Sequence, residues 1–88
     1  MVRLIFVGYF REKIGVKEIE VRLKGETTFR ELIEKYVSEN VREIFGDDEN
    51  YDDVIILVNG NSLDYLGGFN AKIRDSDIIH FIPFIGGG

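Results

Sequence analysis

The sequence predicts one α+β domain in which a mixed sheet of four to five strands curls around a single main helix. Three observations predict this fold. The segment after Thr28 has the apolar spacing of a long helix, and short apolar or alternating runs typical of strands lie on both sides of it. The first and last of these runs are apolar on both faces, which is typical of strands in the middle of a sheet. A chain of 88 residues has room for one hydrophobic core.

The first two runs predict a β-hairpin. Residues 2–10 are apolar on both faces, which predicts a strand covered on both sides. A loop over residues 11–16 follows, in which Gly15 can adopt a positive φ. Residues 17–24 then alternate between polar and apolar side chains, which predicts a half-buried strand. The side chains expected to point inward from it are Ile19, Val21 and Leu23.

The main helix is predicted to begin after Thr28 and to end at Gly46. Thr28 and Glu31 have the spacing of a capping box, and glycine is common immediately after a helix. The intervening apolar residues recur with a 3.6-residue period, which predicts one buried face. These residues are Phe29, Leu32, Ile33, Tyr36, Val37, Val41, Ile44 and Phe45.

An acidic loop and three further strands are predicted after the helix. The carboxylates of residues 47–53 lack the alternating ligands and central glycine of a calcium loop, so a solvated charge run is the favoured interpretation. Residues 53–59 predict a fully buried strand, and the Asn59-Gly60 pair predicts a tight turn. A short strand over 61–65 and an irregular segment around Gly67 and Gly68 come next.

The last strand is predicted over residues 78–82, with Pro83 ending its hydrogen-bonded ladder. The helix lies between the first and last strands in sequence, so these two strands should run parallel and side by side. This order, β-β-α-β-(β)-β, is that of a β-grasp fold. We expect residues 1–83 to form the domain and residues 84–88 to form a flexible glycine tail.

Composition excludes several classes of function. The net charge is −5 and the eleven basic residues are scattered, which argues against binding to nucleic acid. The sequence has no cysteine, so disulfides, thiolate metal sites, iron–sulfur clusters and a cysteine nucleophile are excluded. It has neither a membrane-spanning stretch nor a signal-peptide pattern, so a cytoplasmic location without membrane contact is expected.

The three final glycines predict a reactive arm if the chain ends at Gly88. Glycine has no Cβ, so such an arm can enter a narrow channel and present its α-carboxylate. The six residues from Pro83 onward can reach about 20 Å when extended. The alternative is a frayed, glycine-rich terminus without a role.

Four stretches of this sequence resemble the MoaD family, the ubiquitin-like sulfur carriers that serve as the small subunit of molybdopterin synthase. They are residues 7–15 (an apolar strand, then Arg-Glu and Gly15), 28–32 (the helix start), 57–60 (a Val-Asn-Gly turn) and 73–83, which leads to the diglycine end. Three positions depart from the family pattern. Phe84 stands where a second proline is usual, Ser76 replaces a turn glycine, and Gly86 replaces a small polar residue.

The resemblance implies a function for the tail. An E1-like adenylating enzyme would use Mg-ATP to adenylate Gly88, and a sulfur donor would convert the adenylate to a thiocarboxylate. A MoaE-type large subunit would then bind the pterin precursor and supply the catalytic side chains. This chain would bind no cofactor and would not be catalytic alone. The residues implied in the tail and in partner binding are Gly87, Gly86, Ile85, Phe84, Pro83 and Phe81.

Other interpretations stay open. The chain resembles the thiamine-pathway carriers less, because its helix and following loop are longer. Activated Gly88 could instead acylate lysines of target proteins, or the chain could be a non-catalytic interaction domain. An apolar patch near the tail could also include Tyr9 and Tyr65, although Phe84 and Ile85 are favoured as contacts. His80 could be an acid, a base or an interface residue, but its alternation with Ile78 and Ile82 favours a partly buried strand histidine.

Overall fold

The computed structural model describes residues 1–45 and 53–84. These residues form seven strands, three α-helices and two 3₁₀ turns, and the two turns are at Leu63–Leu66 and Gly68–Asn70. In chain order the elements are β1 (Val2–Phe6), α1 (Tyr9–Ile14), β2 (Glu18–Val21), β3 (Thr27–Thr28), α2 (Phe29–Lys35), α3 (Glu39–Arg42), β4 (Val54–Val58), β5 (Asn61–Ser62), β6 (Lys72–Ile73) and β7 (Ile78–Pro83).

The main sheet confirms the predicted β-grasp fold. Its strand order is β2-β1-β7-β4-β5, and β3 and β6 form a separate antiparallel pair. Strands β1 and β7 lie side by side and run parallel, with Leu4 opposite Ile79 and Phe6 opposite Phe81. The predicted hairpin of β1 and β2 is antiparallel, and β4 runs antiparallel to β7. The last strand therefore occupies the centre of the sheet.

The core lies between one face of this sheet and the helices. Phe6 and Phe81 stack with their ring centroids 5.2 Å apart, and Phe29 of α2 lies 6.3 Å from Phe81. The opposite face is only half-covered, since Ile5 and Leu57 are half-buried and Ile55 is exposed. The prediction that β1 and β4 are buried on both faces was therefore wrong. The helices pack on one side only, and the apolar residues on the other side stay accessible.

The first strand is shorter than predicted. It ends at Phe6, and the segment predicted to be strand and loop forms the helix α1 instead. Gly8 causes this change of direction, because its φ of 62° and ψ of −133° are incompatible with a continuing strand. The turn brings Phe10 into the core from a helix. Gly15 has the positive φ that was predicted, and it ends α1.

The start of the main helix was predicted correctly. The Oγ1 of Thr28 accepts a hydrogen bond from the backbone N–H of Glu31 at 3.2 Å, as an N-cap residue should. The carboxylate of Glu31 accepts from the hydroxyl of Thr27 at 2.9 Å. Thr28 therefore caps the helix as predicted, whereas the carboxylate of Glu31 binds the hydroxyl of Thr27, the residue before the cap.

The helix is interrupted, whereas the sequence predicts a continuous helix to Phe45. Helix α2 ends at Lys35, and α3 starts after Ser38, whose ψ of 164° is extended. The guanidinium of Arg42 donates to the carbonyl oxygens of Glu34 and Val37 at 3.2 and 3.3 Å, which satisfies acceptors at the interruption. Gly46, the predicted terminating residue, lies outside the described residues, as does most of the acidic loop.

The Asn59-Gly60 turn has the predicted geometry and also holds the start of β7. Both residues have positive φ values, 52° and 85°, as in a type I′ hairpin turn. The side chain of Asn59 accepts from the N–H of Ile78 and donates to the carboxylate of Asp77, each at 2.9 Å. The same carboxylate accepts from the N–H of Arg74 at 2.8 Å. These bonds fix the point at which the central strand begins.

No helix in residues 1–45 or 53–84 is long and apolar enough to cross a membrane. Across the same residues, no group of three or more His, Asp or Glu side chains is arranged to hold a metal ion.

Candidate functional site

The tail predicted from the sequence continues from the end of the central strand. We call residues 82–84 the tail root. Ile82 lies opposite Ile55 and Pro83 lies opposite Val54 on β4, while β1 pairs with β7 up to Phe81. The chain therefore leaves the sheet between its two neighbouring strands.

The tail root is held from both sides. On the β1 side, the N–H of Val7 donates to the carbonyl of Phe81 at 3.0 Å, and the Pro83 ring packs on Gly8. A Cβ placed on Gly8 would lie 3.4 Å from Pro83 Cγ. On the β4 side, the N–H of Phe84 donates to the carbonyl of Asp53 at 3.0 Å. The direction of the chain is thus fixed as far as Phe84.

The prediction that Pro83 ends the ladder was wrong. Proline lacks an N–H and cannot donate, yet Pro83 is still paired with Val54 and Phe84 resumes the bonding to Asp53. Because a proline's missing donor interrupts only its own position, pairing continues at the next residue.

Phe81 does not lie where the sequence predicted. It is completely buried, in contact with the rings of Phe6, Phe29 and Phe45, so its side chain belongs to the core and not to a partner-binding surface. Alternation along β7 explains this, since Phe81 shares the inner face with Ile79.

The remaining predicted site residues fall into two groups. Pro83 is half-buried and Phe84 is 53% exposed, so Phe84 is accessible to a partner. Gly88, Gly87, Gly86 and Ile85 lie outside the described residues, and their roles stay predictions.

His80 lies on the outer face of the sheet, where the register places it between Ile5 of β1 and Leu57 of β4. It is half-buried. This confirms the interpretation of a partly buried strand histidine.

A comparison with models of known protein families identifies the family of this chain. The model of the ThiS family matches residues 4–88.

The chain belongs to the ThiS family.

The similarity to solved structures agrees with this assignment. A candidate molybdopterin converting factor, subunit 1, from Pyrococcus furiosus is 27% identical with a TM-score of 0.67, and the match covers 96% of this chain and 97% of that one. The HVO 2177 protein of Haloferax volcanii is 25% identical with a TM-score of 0.72, over 99% and 85% of the two chains. The small archaeal modifier protein 1 of Methanosarcina acetivorans is 25% identical with a TM-score of 0.64, over 99% and 95%. No curated protein sequence matches the chain.

The predicted relationship to the ubiquitin-like sulfur carriers is therefore confirmed at the level of the family. The match places the chain among ThiS- and MoaD-like sulfur carriers and small archaeal modifiers. It does not distinguish the molybdopterin synthase subunit from the other members.

Two residues of the site in this ThiS-family chain were missed from the sequence. Gly8 lies inside an apolar run that was interpreted as a strand, and a glycine in such a run is a signal for a bulge or a close backbone approach. Asp53 contributes its backbone carbonyl, which no side-chain pattern can reveal.

The ion pairs with shifted pKa values lie at the other end of β7. The Arg3 side chain hydrogen-bonds Glu18, which lowers the pKa of Glu18 and raises the pKa of Arg3. The Leu23 N–H and the terminal amine of Met1 bind the Asp75 carboxylate and lower its pKa. Arg3 is opposite Ile78 and Asp75 precedes β7, so these charges stabilise the end of the sheet away from the tail root.

The tail root itself carries no acid, base or nucleophile among Ile82, Pro83 and Phe84. It can position and bind, but it cannot perform bond chemistry.

Substitution of Gly8 should destabilise the fold. Gly8→Ala is expected to cost about 2–3 kcal/mol, because a Cβ disfavours the φ of 62° and ψ of −133° at this position. The added Cβ would itself lie in ordinary van der Waals contact with the Pro83 ring, 3.4 Å from Cγ. Urea denaturation measures the loss. Gly68→Ala is the control, since Gly68 has a φ of 63° and no atom within 4 Å of the added Cβ; a loss of about 1 kcal/mol is expected there.

A double-mutant cycle with Pro83→Ala tests this assignment. Gly8→Ala should cost the same with and without the proline ring. A clearly smaller cost without the ring would show that steric contact with Pro83, and not the backbone angles of Gly8, causes the loss.

Proposed function

We propose that this protein is a sulfur carrier, the small subunit of a molybdopterin synthase, and that the carboxylate of Gly88 is its reacting group. The observation that carries the proposal is the tail root: a central strand, held on both sides up to Phe84, continues into a segment that ends in three glycines. The family match extends to residue 88, and the molybdopterin converting factor of P. furiosus is among the similar structures.

The chemistry requires activation of a poor electrophile. An E1-like adenylating enzyme holds Mg-ATP, and a carboxylate oxygen of Gly88 attacks the α-phosphorus while pyrophosphate leaves. Hydrosulfide delivered by a donor then attacks the carbonyl carbon of the acyl-adenylate. AMP leaves, and a terminal thiocarboxylate remains. Both steps use groups of the partners, which agrees with a tail root that offers no catalytic side chain.

The second half of the cycle takes place on a MoaE-type large subunit. The thiocarboxylate sulfur of Gly88 attacks a carbon of a pterin precursor held there and displaces an oxygen leaving group. Water then hydrolyses the thioester that links Gly88 to the pterin, which leaves the sulfur on the pterin and restores the carboxylate. The absence of side chains from Gly86 to Gly88 lets the arm enter a narrow channel. The chain holds no cofactor in this scheme, and its requirement for ATP is consistent with a cytoplasmic location.

The intact mass of the protein tests this proposal. The protein is incubated with Mg-ATP, sulfide and an E1-like adenylating enzyme of MoaD-type carriers, and its mass is recorded before and after. The starting mass should be that of a chain ending at Gly88, and the product should have one terminal oxygen replaced by sulfur. An unchanged mass with an enzyme that modifies its own carrier would reject the carrier function and favour a non-catalytic interaction domain.

A protein modifier is the second candidate, favoured by the similarity to the small archaeal modifier protein 1 of M. acetivorans. The same adenylate would then acylate a lysine amine of a target protein, with AMP as the leaving group. Conjugates in cell extract that contain Gly88 in an isopeptide bond would support this function. A thiocarboxylated chain without such conjugates would support the sulfur carrier.

A further inference from the structure

The turn that connects β4 to β5 contains the one Asn-Gly pair of the sequence, Asn59-Gly60. An asparagine followed by glycine is the arrangement most prone to deamidation, because glycine has no side chain to keep its backbone nitrogen away from the asparagine side chain. Both residues are exposed, so water and hydroxide reach them freely. Any protection of this pair must therefore come from the contacts that hold the side chain of Asn59.

Three hydrogen bonds hold Asn59 against the start of the central strand. Its side-chain oxygen accepts from the N–H of Ile78 at 2.9 Å, and its backbone N–H donates to the carbonyl of Ile78 at 2.8 Å. Its side-chain nitrogen donates to the carboxylate of Asp77 at 2.9 Å. We call these three the Asn59 bonds. They occupy both backbone groups of Ile78 with one residue, as in a hydrogen-bonded pair of an antiparallel ladder.

The chemistry of deamidation requires the Asn59 bonds to break. The backbone nitrogen of Gly60, after losing its proton to base, attacks the side-chain carbonyl carbon of Asn59. A carbon–nitrogen bond forms, and the side-chain nitrogen takes up a proton and leaves as ammonia, so that a succinimide ring remains. The side chain has to rotate towards Gly60 and release its nitrogen, which its bonds to Ile78 and Asp77 oppose. Water then opens the ring at either carbonyl and leaves an aspartate or an isoaspartate at position 59.

Neither product can restore the full set of Asn59 bonds. An aspartate places a carboxylate oxygen where the donor nitrogen stood, 2.9 Å from the carboxylate of the buried Asp77. Two like charges then face each other, and the Asp77 oxygen loses its donor. An isoaspartate lengthens the main chain of a two-residue turn, which disturbs the register of Val58 with Asn61. The start of β7 is weakened in both cases.

We propose that Asn59 is a deamidation site, protected while the Asn59 bonds hold the start of β7 and reactive when that end of the strand opens. Because ammonia is lost, the change is irreversible, and each modified chain records one such opening. The modified chain then has a weakened start of its central strand. The reaction needs water alone, and neither ATP nor a partner, so this proposal is independent of the proposed function.

The rate of deamidation at Asn59 tests the protection. The protein is incubated in mildly alkaline buffer with and without denaturing guanidinium chloride, and aspartate and isoaspartate at position 59 are quantified by peptide mass spectrometry. The folded protein should react at least about tenfold more slowly than the denatured chain, because only the opened fraction reacts.

Two variants in the turn before β7 separate the Asn59 bonds from stability in general. Asp77→Ala removes the acceptor of the Asn59 side-chain nitrogen and should raise the rate in the folded protein about fivefold. Asp75→Ala is the matched control, since its carboxylate accepts from the N–H of Leu23 and makes no bond to Asn59. It should leave the rate within about twofold of wild type. Circular dichroism verifies that both variants are folded.

Thermal unfolding of Asn59→Asp tests the effect of the product. The unfolding temperature should fall by about 5–10 °C, because the donor to Asp77 is replaced by a like charge. Asn61→Asp makes the same charge change at an exposed asparagine in the next strand, and it should stay within about 3 °C of wild type.

Each contrary result would overturn the proposal. Equal rates in the folded and the denatured protein would show that the Asn59 bonds give no protection, and no reaction at Asn59 in denaturant would show that it is not a deamidation site. An equal acceleration by Asp75→Ala and Asp77→Ala would assign the protection to overall stability. If Asp77→Ala does not fold, the comparison of folded with denatured wild-type protein and the unfolding of Asn59→Asp still decide.

Discussion

Removal of Gly88 is expected to abolish the ATP-dependent modification of this protein while its unfolding temperature stays unchanged. The shortened chain still ends in a glycine carboxylate, but that group is displaced by about 3.5 Å, one extended residue. Adenylation requires the attacking oxygen in line with the α-phosphorus, and displacements of even 1 Å can lower rates by about a hundredfold. We therefore expect the rate of pyrophosphate release to fall at least ~10³-fold. The described core contacts involve residues before Pro83, so folding should be unaffected.

Gly87→Ala is the companion variant, since it keeps the length of the arm and adds one methyl group. A channel shaped for glycine should reject it, with a loss of about 10- to 100-fold that is smaller than the loss on deletion. Thermal unfolding and the rate of pyrophosphate release are measured for both variants. A rate within a few-fold of wild type after deletion of Gly88 would contradict this prediction, because it would show that the reaction does not require a carboxylate at the position of Gly88.

The order and direction of the strands were predictable from the sequence. They depend on the hydrophobic pattern of whole strands, which stays readable even where the end of a single strand or helix is predicted wrongly. Alternation in residues 17–24 and the apolar runs of the first and last strands specify which face of each strand is buried. A helix between two parallel strands then leaves few arrangements. The parallel pairing of β1 with β7 followed from these patterns alone, and the structure confirmed it.

The end of the first strand and the interruption of the main helix were predicted wrongly, because in each place the apolar pattern is compatible with two kinds of secondary structure. The segment after Phe6 contains apolar residues at strand spacing, yet it also suits a short helix whose Phe10 turns inward. The backbone of Gly8 decides between them, and its φ and ψ are not visible in the sequence. The interruption of the main helix was hidden for a related reason. Val41 and Phe45 still face the core after the break, so the apolar period continues across it.

The site was half predictable. The three final glycines indicate the arm in the sequence itself. The groups that hold the tail root come from distant parts of the chain, and they are Gly8 and the carbonyl of Asp53. Phe81 is close to the tail in sequence, but alternation along β7 places its side chain in the core and not on a binding surface. In a strand, neighbouring side chains point to opposite faces, so the residue next to an accessible one is the one most readily buried.

Phe81→Ala is expected to destabilise the protein by about 3–5 kcal/mol. Its side chain is fully buried, and its ring lies 5.2 Å from Phe6, 6.3 Å from Phe29 and 6.2 Å from Phe45. Truncation removes contacts with three aromatic rings and leaves a cavity between the sheet and α2. A domain of this length has a total stability of roughly 4–13 kcal/mol, so the variant should be partly unfolded at 37 °C or close to it.

Phe84→Ala is the matched control, with the same residue type on the same stretch of chain but a half-exposed ring. It should cost less than about 1 kcal/mol in urea denaturation, because its backbone bond to Asp53 is retained and little buried surface is lost. Phe81→Leu, if it stays folded, should leave the rate of pyrophosphate release by an adenylating enzyme within about twofold of wild type, because the side chain at this position is buried and cannot meet a partner. Equal losses of stability at the two positions would mean that Phe81 is not the centre of the core. A much lower rate of pyrophosphate release by folded Phe81→Leu would restore Phe81 to the binding surface.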